Sequence, residues 1–273
     1  MRIISAEKIK NTVADLCVQA NLVLRPDVLA QLKSAHKKET GKRAKKILGA
    51  IIANALIARR DKLAICQDTG LPCVFIELGQ EVKIRGDLKK AINQGVELGY
   101  RRACLRNSVV KDPLLRGISG YQPAITHIDI VRGDKLKITV LPKGFGCENK
   151  TQLKMFKPTA GIGEIKQFII EAVKSAGPDA CPPYVVGVGV GGSADFACLM
   201  AKKALLRKVT SHKSRLECEL FNEINKLNIG PMGLGGKITC LAVNIETCPT
   251  HIAGLPVAVN ISCHALRSAT EII

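Results

Sequence analysis

From Asn228 to Thr239 the chain reads Asn-Ile-Gly-Pro-Met-Gly-Leu-Gly-Gly-Lys-Ile-Thr, with Gly230, Gly233, Gly235 and Gly236 inside seven positions. Glycine is costly to order, so a run this dense requires a backbone that takes positive φ or passes close to a ligand or another chain. Pro249-Thr-His251-Ile-Ala-Gly-Leu-Pro256 follows. An apolar, β-branched stretch from Leu255 to Ile261 then reads as a buried strand, which delivers Cys263 and His264 to its end. A backbone-lined loop, an ionisable His251 and a cysteine at the end of a strand outline a site. The plainer alternative is a glycine-rich turn joining two strands.

The chain has 273 residues, 47% of them hydrophobic but only 3% aromatic and none of them tryptophan, which predicts an aliphatic core. Its formal net charge is +18. Such a balance suits nucleic acid, anionic membranes or acidic small substrates. The lysines and arginines are spread along the chain without interleaved aromatics, however, so no nucleic-acid partner is expected. No apolar run reaches transmembrane length, and no membrane association is expected. Eleven cysteines, an odd number without a secretory signal, predict thiols in a reducing, cytoplasmic compartment. Cys17, Cys198, Cys218 and Cys240 sit in apolar patterns and are expected to be small buried hydrophobes. There is no CxxC pair to support a zinc site.

The chain is predicted to open directly into helix, and residues from about 5 to 60 read as helices. Ile9, Val13, Leu16 and Cys17 keep helical spacing, Pro26 stands near a helix start, and a helical pattern runs from Ala44 to Arg59. The pattern breaks at Ile65-Cys66-Gln67-Asp68-Thr69-Gly70, before a strand from Cys73 to Leu78. This is either an Asp-Thr-Gly turn or a ligand cysteine flanked by polar groups. Asp87–Tyr100 reads as a helix leading to Arg106, an arginine able to clamp a carboxylate. Ala124–Val131 and Lys135–Leu141 read as a hairpin with its turn at Arg132–Asp134, and His127 as a core histidine. Pro142–Lys150 carries Gly144 and Gly146 and is predicted to open a helix running through Met155. Helices are also expected over Ile162–Ser175, from Ser193 to Leu206 and over Leu216–Leu227, with a strand over Tyr184–Val190. Gly187, Gly189, Gly191 and Gly192 resemble an anion cradle but lack GxGxxG spacing. The fold class is α+β, a helical region followed by mixed strands and helices, in one domain over residues 1–273.

Cys66, Cys181 and Cys263 stand in turns beside unusual local sequence, and Cys181 precedes Pro182-Pro183. Three dispersed thiolates suit a cuboidal iron–sulfur cluster with one iron left open. The motifs Cys66-Gln-Asp-Thr-Gly70, Cys181-Pro-Pro, Ile229-Gly-Pro-Met-Gly-Leu-Gly-Gly-Lys237, Pro249-Thr-His-Ile-Ala-Gly-Leu-Pro256 and Cys263-His-Ala-x-Arg267 resemble the α subunit of class I iron–sulfur fumarate hydratases and L-tartrate dehydratases. The resemblance covers essentially the whole chain. It implies a [4Fe–4S] cluster on Cys66, Cys181 and Cys263, and reversible hydration of a C4 dicarboxylate, fumarate to (S)-malate, with L(+)-tartrate the alternative. It implies a substrate bound by Gln67, Asp68, Arg106 and Gly146 (Gly144 being the alternative contact), with Asp68 and His251 handling protons.

The resemblance further implies an absent half. The general base and other carboxylate contacts belong to a separate β subunit, so the expected assembly is α2β2 and the chain alone is inactive. Three departures from the family pattern stand out. Cys147 replaces the usual serine after Gly146, Gly120-Tyr-Gln-Pro-Ala124 replaces a Gly-Asp-Asn-Thr-Pro-Ala stretch, and Arg267-Ser268 replaces Arg-His.

Overall fold

The computed structural model describes residues 2–209 and 214–273. Helices and mixed sheets alternate in it, so the fold is α+β. The chain divides into two compact units. One holds Met1–Arg25, Ala55–Phe145 and Arg267–Ile273; the other holds Pro26–Asn54 and Gly146–Leu266.

In the first unit, strand β1 (Arg2–Ser5) precedes helix α1 (Ala6–Leu22), so the chain begins extended where the sequence predicts helix. The reason is a partner: β1 lies parallel to β3 (Val82–Arg85). Ser5 then ends the strand and caps α1, its Oγ accepting the Lys8 N–H at 3.2 Å. The main sheet has the order β12-β7-β2-β6, built from β2 (Leu71–Gly79), β6 (Ile125–Val131), β7 (Leu136–Lys143) and β12 (Ala269–Ile272). The predicted hairpin is therefore not one. Both of its strands exist, but β2 lies between them, parallel to β6 and antiparallel to β7. β2 is the most apolar strand of the sheet and needs a neighbour on each edge. The Arg132–Asp134 turn arches over its end, where Gly79 N–H donates to Lys135 O at 2.9 Å. Val74 and Ile76 of β2 and Leu136, Ile138 and Val140 of β7 pack under α1 and helix α4 (Leu88–Arg102). A two-stranded arm that the sequence pattern does not show, β4 (Val109–Asp112) with β5 (Arg116–Gly120), follows α4.

The second unit takes helix α2 (Pro26–Lys38) and the first part of α3 (Lys42–Asp61). Its sheet has the order β10-β9-β11-β8, from β8 (Gln152–Phe156), β9 (Tyr184–Gly192), β10 (Cys240–Thr250) and β11 (Leu255–Ser262). The helix expected through Met155 stops after one turn, α5 (Phe145–Glu148). Residues 152–156 instead pair antiparallel with β11, because the apolar β11 needs a second edge partner. Helices α6 (Ile162–Ala176) and α8 (Arg215–Asn225) cover one face through Ile165, Ile169, Leu220 and Ile224.

Helix α7 (Ala194–Ala204) lies against the opposite face, and its closeness explains the strand glycines. A Cβ on Gly189 would sit 2.1 Å from the Ala197 carbonyl oxygen, and one on Gly187 2.1 Å from that of Ala201. These glycines serve packing rather than an anion. Gly189→Ala is accordingly expected to lower unfolding stability by about 1–3 kcal/mol, read from the urea midpoint, because overpacking forces α7 off the sheet. Among the described residues no helix is long and apolar enough to cross a membrane.

Candidate active site

At one end of the main sheet of the first unit, the starts of β2 and β12 meet the end of β7. The loop Cys66–Gly70 sits there, because Tyr100 from α4 donates its hydroxyl to the carbonyls of Thr69 (2.9 Å) and Gly70 (3.1 Å). Burial raises the pKa of that hydroxyl well above its ordinary value, which keeps it a donor. The Asp68 carboxylate is held by two backbone donors, Gly70 N–H to Oδ1 (2.9 Å) and Phe145 N–H to Oδ2 (2.8 Å). Arg267 is 97% buried by its 3% exposure and donates from Nη2 to the Asp68 carbonyl at 2.7 Å. Arg106 is exposed. Its backbone N–H donates to Thr69 Oγ1 at 3.1 Å, and its guanidinium reaches the Gln67 carbonyl at 3.4 Å. The Cys66 thiol donates to Gln67 Oε1 at 3.4 Å. The structure thus gathers Cys66, Gln67, Asp68 and Arg106 at one sheet end, with Gly144 beside Asp68: a Cβ there would lie 3.2 Å from Asp68 Oδ2.

The second unit gathers the other two cysteines at one end of its own sheet. β9 and β11 are antiparallel, so Cys181 just before β9 and Cys263 just after β11 meet at the same end. His264 ties them. Its backbone N–H (3.4 Å) and its ring Nδ1 (3.0 Å) both reach the Cys181 carbonyl. A carbonyl only accepts, so the imidazole carries its proton on Nδ1 in this contact. The glycine-rich run closes over this end. Met232 N–H donates to Pro182 O at 2.8 Å, and a Cβ on Gly233, at φ +72, would collide with Pro178. Buried Glu39 fixes the far side of the run, accepting the Lys237 N–H (2.8 Å) together with those of Thr40 and Gly41. The run thus takes positive φ and passes close to other parts of the chain, and it joins helix α8 to strand β10 rather than two strands.

Gly146 is exposed at the start of α5 in this unit, and Cys147 is buried with its thiol donating to Ala180 O at 3.4 Å. His251 is elsewhere. It lies in the exposed turn joining β10 to β11, at the opposite end of β11 from Cys263, its Nδ1 accepting the Ala253 N–H at 3.2 Å. The strand between spans eight residues, roughly 26 Å at 3.3 Å per residue. His251 and the two cysteines are not brought together within this unit.

Sequence reasoning gave no site role to Arg267, His264, Tyr100 or Glu39. The signal for the first two was present, a histidine and an arginine soon after a buried, mostly apolar strand. Glu39 and Tyr100 lie in helical patterns that carry no such mark. All eleven cysteines are unbridged. Cys17 and Cys240 are buried as expected, and burial pushes both thiols far up. Cys198 is half-buried, its thiol also raised by burial. Cys218 is instead exposed, on the side of α8 turned away from Leu220 and Ile224.

The family model described as Fumarate hydratase (Fumerase) matches residues 10–271. A Methanocaldococcus jannaschii protein named "Putative L(+)-tartrate dehydratase subunit alpha" is 42% identical over 277 residues, covering 97% of each chain. The protein named L(+)-tartrate dehydratase subunit alpha of Escherichia coli O157:H7 is 30% identical over 278 residues, covering 98% of this chain and 92% of that one. Its namesake in strain K12 is similar to the same extent. With the match running through both units and all three turn-borne cysteines, the chain belongs to the fumarate hydratase (Fumerase) family of hydro-lyases.

Proposed function

We propose that this chain is the α subunit of a two-subunit class I fumarate hydratase, catalysing the reversible hydration of fumarate to (S)-malate as one functional domain in a cytoplasmic α2β2 assembly. The observation that carries the reading is the pair of sheet ends. One presents Cys66, Gln67, Asp68 and Arg106; the other presents Cys181 and Cys263. Relatives named as alpha subunits support a separate β subunit.

Cys66, Cys181 and Cys263 are assigned as ligands of a [4Fe–4S] cluster. The donor set fits: all three thiols are half-buried and unbridged, and Cys181 and Cys263 share one sheet end. Among the described residues no three His, Cys, Asp or Glu side chains are grouped as round a single ion; a cuboidal cluster spreads its thiolates more widely. When bound, the cluster supplies a Lewis-acidic iron open to a substrate carboxylate and hydroxyl. Arg106 binds the other carboxylate, with Gln67 and the Gly146 backbone N–H as further donors. Asp68, anchored by two N–H groups, orients the substrate hydroxyl and handles its proton. His251, carried on the turn that joins β10 to β11, is assigned with Asp68 to the network that orients the substrate and handles its proton.

Arg106→Lys keeps the charge but loses the two-pronged geometry. In the assembled αβ enzyme it is expected to cost about 1.5–3 kcal/mol in kcat/KM. Unchanged kcat/KM would remove Arg106 from the site.

The second reading, L(+)-tartrate dehydratase, is favoured by the names of the relatives. Anaerobically reconstituted chain, with and without the β subunit, assayed on fumarate, malate and L(+)-tartrate, separates the two. Activity confined to tartrate would overturn the fumarate reading. Full activity without the β subunit would overturn the two-subunit reading.

A further inference from the structure

Strand β6 forms the edge of the main sheet of the first unit, and among the described residues no strand pairs with its outer side. Exposed edges are ordinarily protected by lysine, proline, a bulge or shortness, because their open N–H and C=O groups recruit other chains. β6 has no lysine, proline or bulge and is not short; Asp129 is its one formally charged side chain. It runs seven residues, Ile-Thr-His-Ile-Asp-Ile-Val, in unbroken register with β2. Ile128 and Ile130 are 49% and 70% exposed. They share a face with Val74 and Ile76 of β2, the face that packs under α1 and α4, yet they remain open at the sheet margin.

We propose that β6 is the contact between two copies of this chain, paired antiparallel about a two-fold axis through Ile128 to give one continuous eight-stranded sheet. The strand is complementary to itself in that register. Ile128 faces its own copy, and Thr126 faces Ile130 twice, which gathers four isoleucines on one face. On the other face Ile125 meets Val131, and His127 meets Asp129 twice, an opposite-charge pair whenever the imidazole is protonated. Moving the axis to residue 129 sets two aspartates against each other, and moving it to 127 sets two histidines together; both are disfavoured. A two-fold axis makes such a contact isologous, the commonest kind among homodimers. The inference names the α–α contact of the assembly proposed above but does not depend on its chemistry.

Sedimentation of the full-length chain tests it. The native chain is expected to run as a dimer at micromolar concentration. Ile128→Lys, at a half-exposed position, is expected to keep its circular dichroism spectrum and to raise the dimer dissociation constant about tenfold or more, by loss of the isoleucine pair and like-charge opposition. Ile128→Cys is expected to form an intermolecular disulfide under mild oxidation beyond the native background, whereas Thr126→Cys, which faces Ile130, is not. This pair of variants keeps the test decisive should the lysine variant misfold. A monomeric native chain, a dimer indifferent to Ile128→Lys, or equal cross-linking by the two cysteine variants would overturn the proposal. So would an Ile128→Lys chain that still dimerises but no longer binds the β subunit, which would give the edge to that partner.

Discussion

Cys181→Ser is expected to yield a folded chain that retains no four-iron cluster after anaerobic reconstitution, with iron and sulfide falling from about four each to background. Cys66→Ser and Cys263→Ser are expected to behave alike, and Cys198→Ser to load normally. A serine hydroxyl is a far poorer ligand for iron–sulfur chemistry than a soft thiolate. The fold should survive because His264 grips the Cys181 carbonyl, not its sulfur. Full iron and sulfide retention in Cys181→Ser would remove that residue from the ligand set.

Glu217→Ala is expected to cost about 3–5 kcal/mol of unfolding free energy, because it leaves a largely buried guanidinium without its main counter-ion. The Glu217 side chain is 1% exposed and that of Arg207 12%, with Nη1 and Oε1 2.7 Å apart. The same carboxylate accepts the Ile245 N–H at 2.8 Å and the Ser214 N–H at 3.3 Å, so it clasps α8 to β10 while completing the helix cap. Glu246, 3.4 Å from Arg207 but 41% exposed, offers only partial compensation. Urea unfolding measures the loss; a change below about 1 kcal/mol would mean that Glu246 takes over the pairing.

The helices were legible because their signals are local. Ile9, Val13, Leu16 and Cys17 all fall in the core of α1, Pro26 opens α2, and Asp87 caps α4. Strand partners were not legible. Alternation marks β6 and β7 as strands, but nothing within residues 124–141 reveals that β2, far earlier in the chain, separates them. Residues 152–156 read as the continuation of the helix opened by the Gly-bearing loop, and the open edge of β11 explains why they belong to a strand. The gathering of Gln67, Asp68 and Arg106 follows from a loop pinned by Tyr100 and Arg267, contacts between segments that spacing cannot express. Cys66, Cys181 and Cys263 stood out by their turns and local sequence, but the family resemblance was needed to join them as one ligand set, since thiols so far apart carry no spacing pattern of their own. The resemblance also placed His251 in the site, and within the second unit the length of β11 separates it from Cys181 and Cys263.

The interleaving of the two units has a consequence for how the protein is made. A ribosome emits the chain from its N-terminus, and segments fold as their partners emerge. The second unit has all its strands once Leu266 is made, although the first unit began the chain. Strand β12, whose neighbour Ile273 exchanges two 2.9 Å hydrogen bonds with Leu136, arrives only afterwards, together with Arg267, the anchor of the Asp68 carbonyl. The Cys181–Cys263 end can therefore mature while the Cys66 loop still lacks its clamp. An iron donor acting during synthesis would meet two ordered thiols and a third on a loop not yet clamped, so loading of the proposed cluster is expected to follow the emergence of Arg267 and β12.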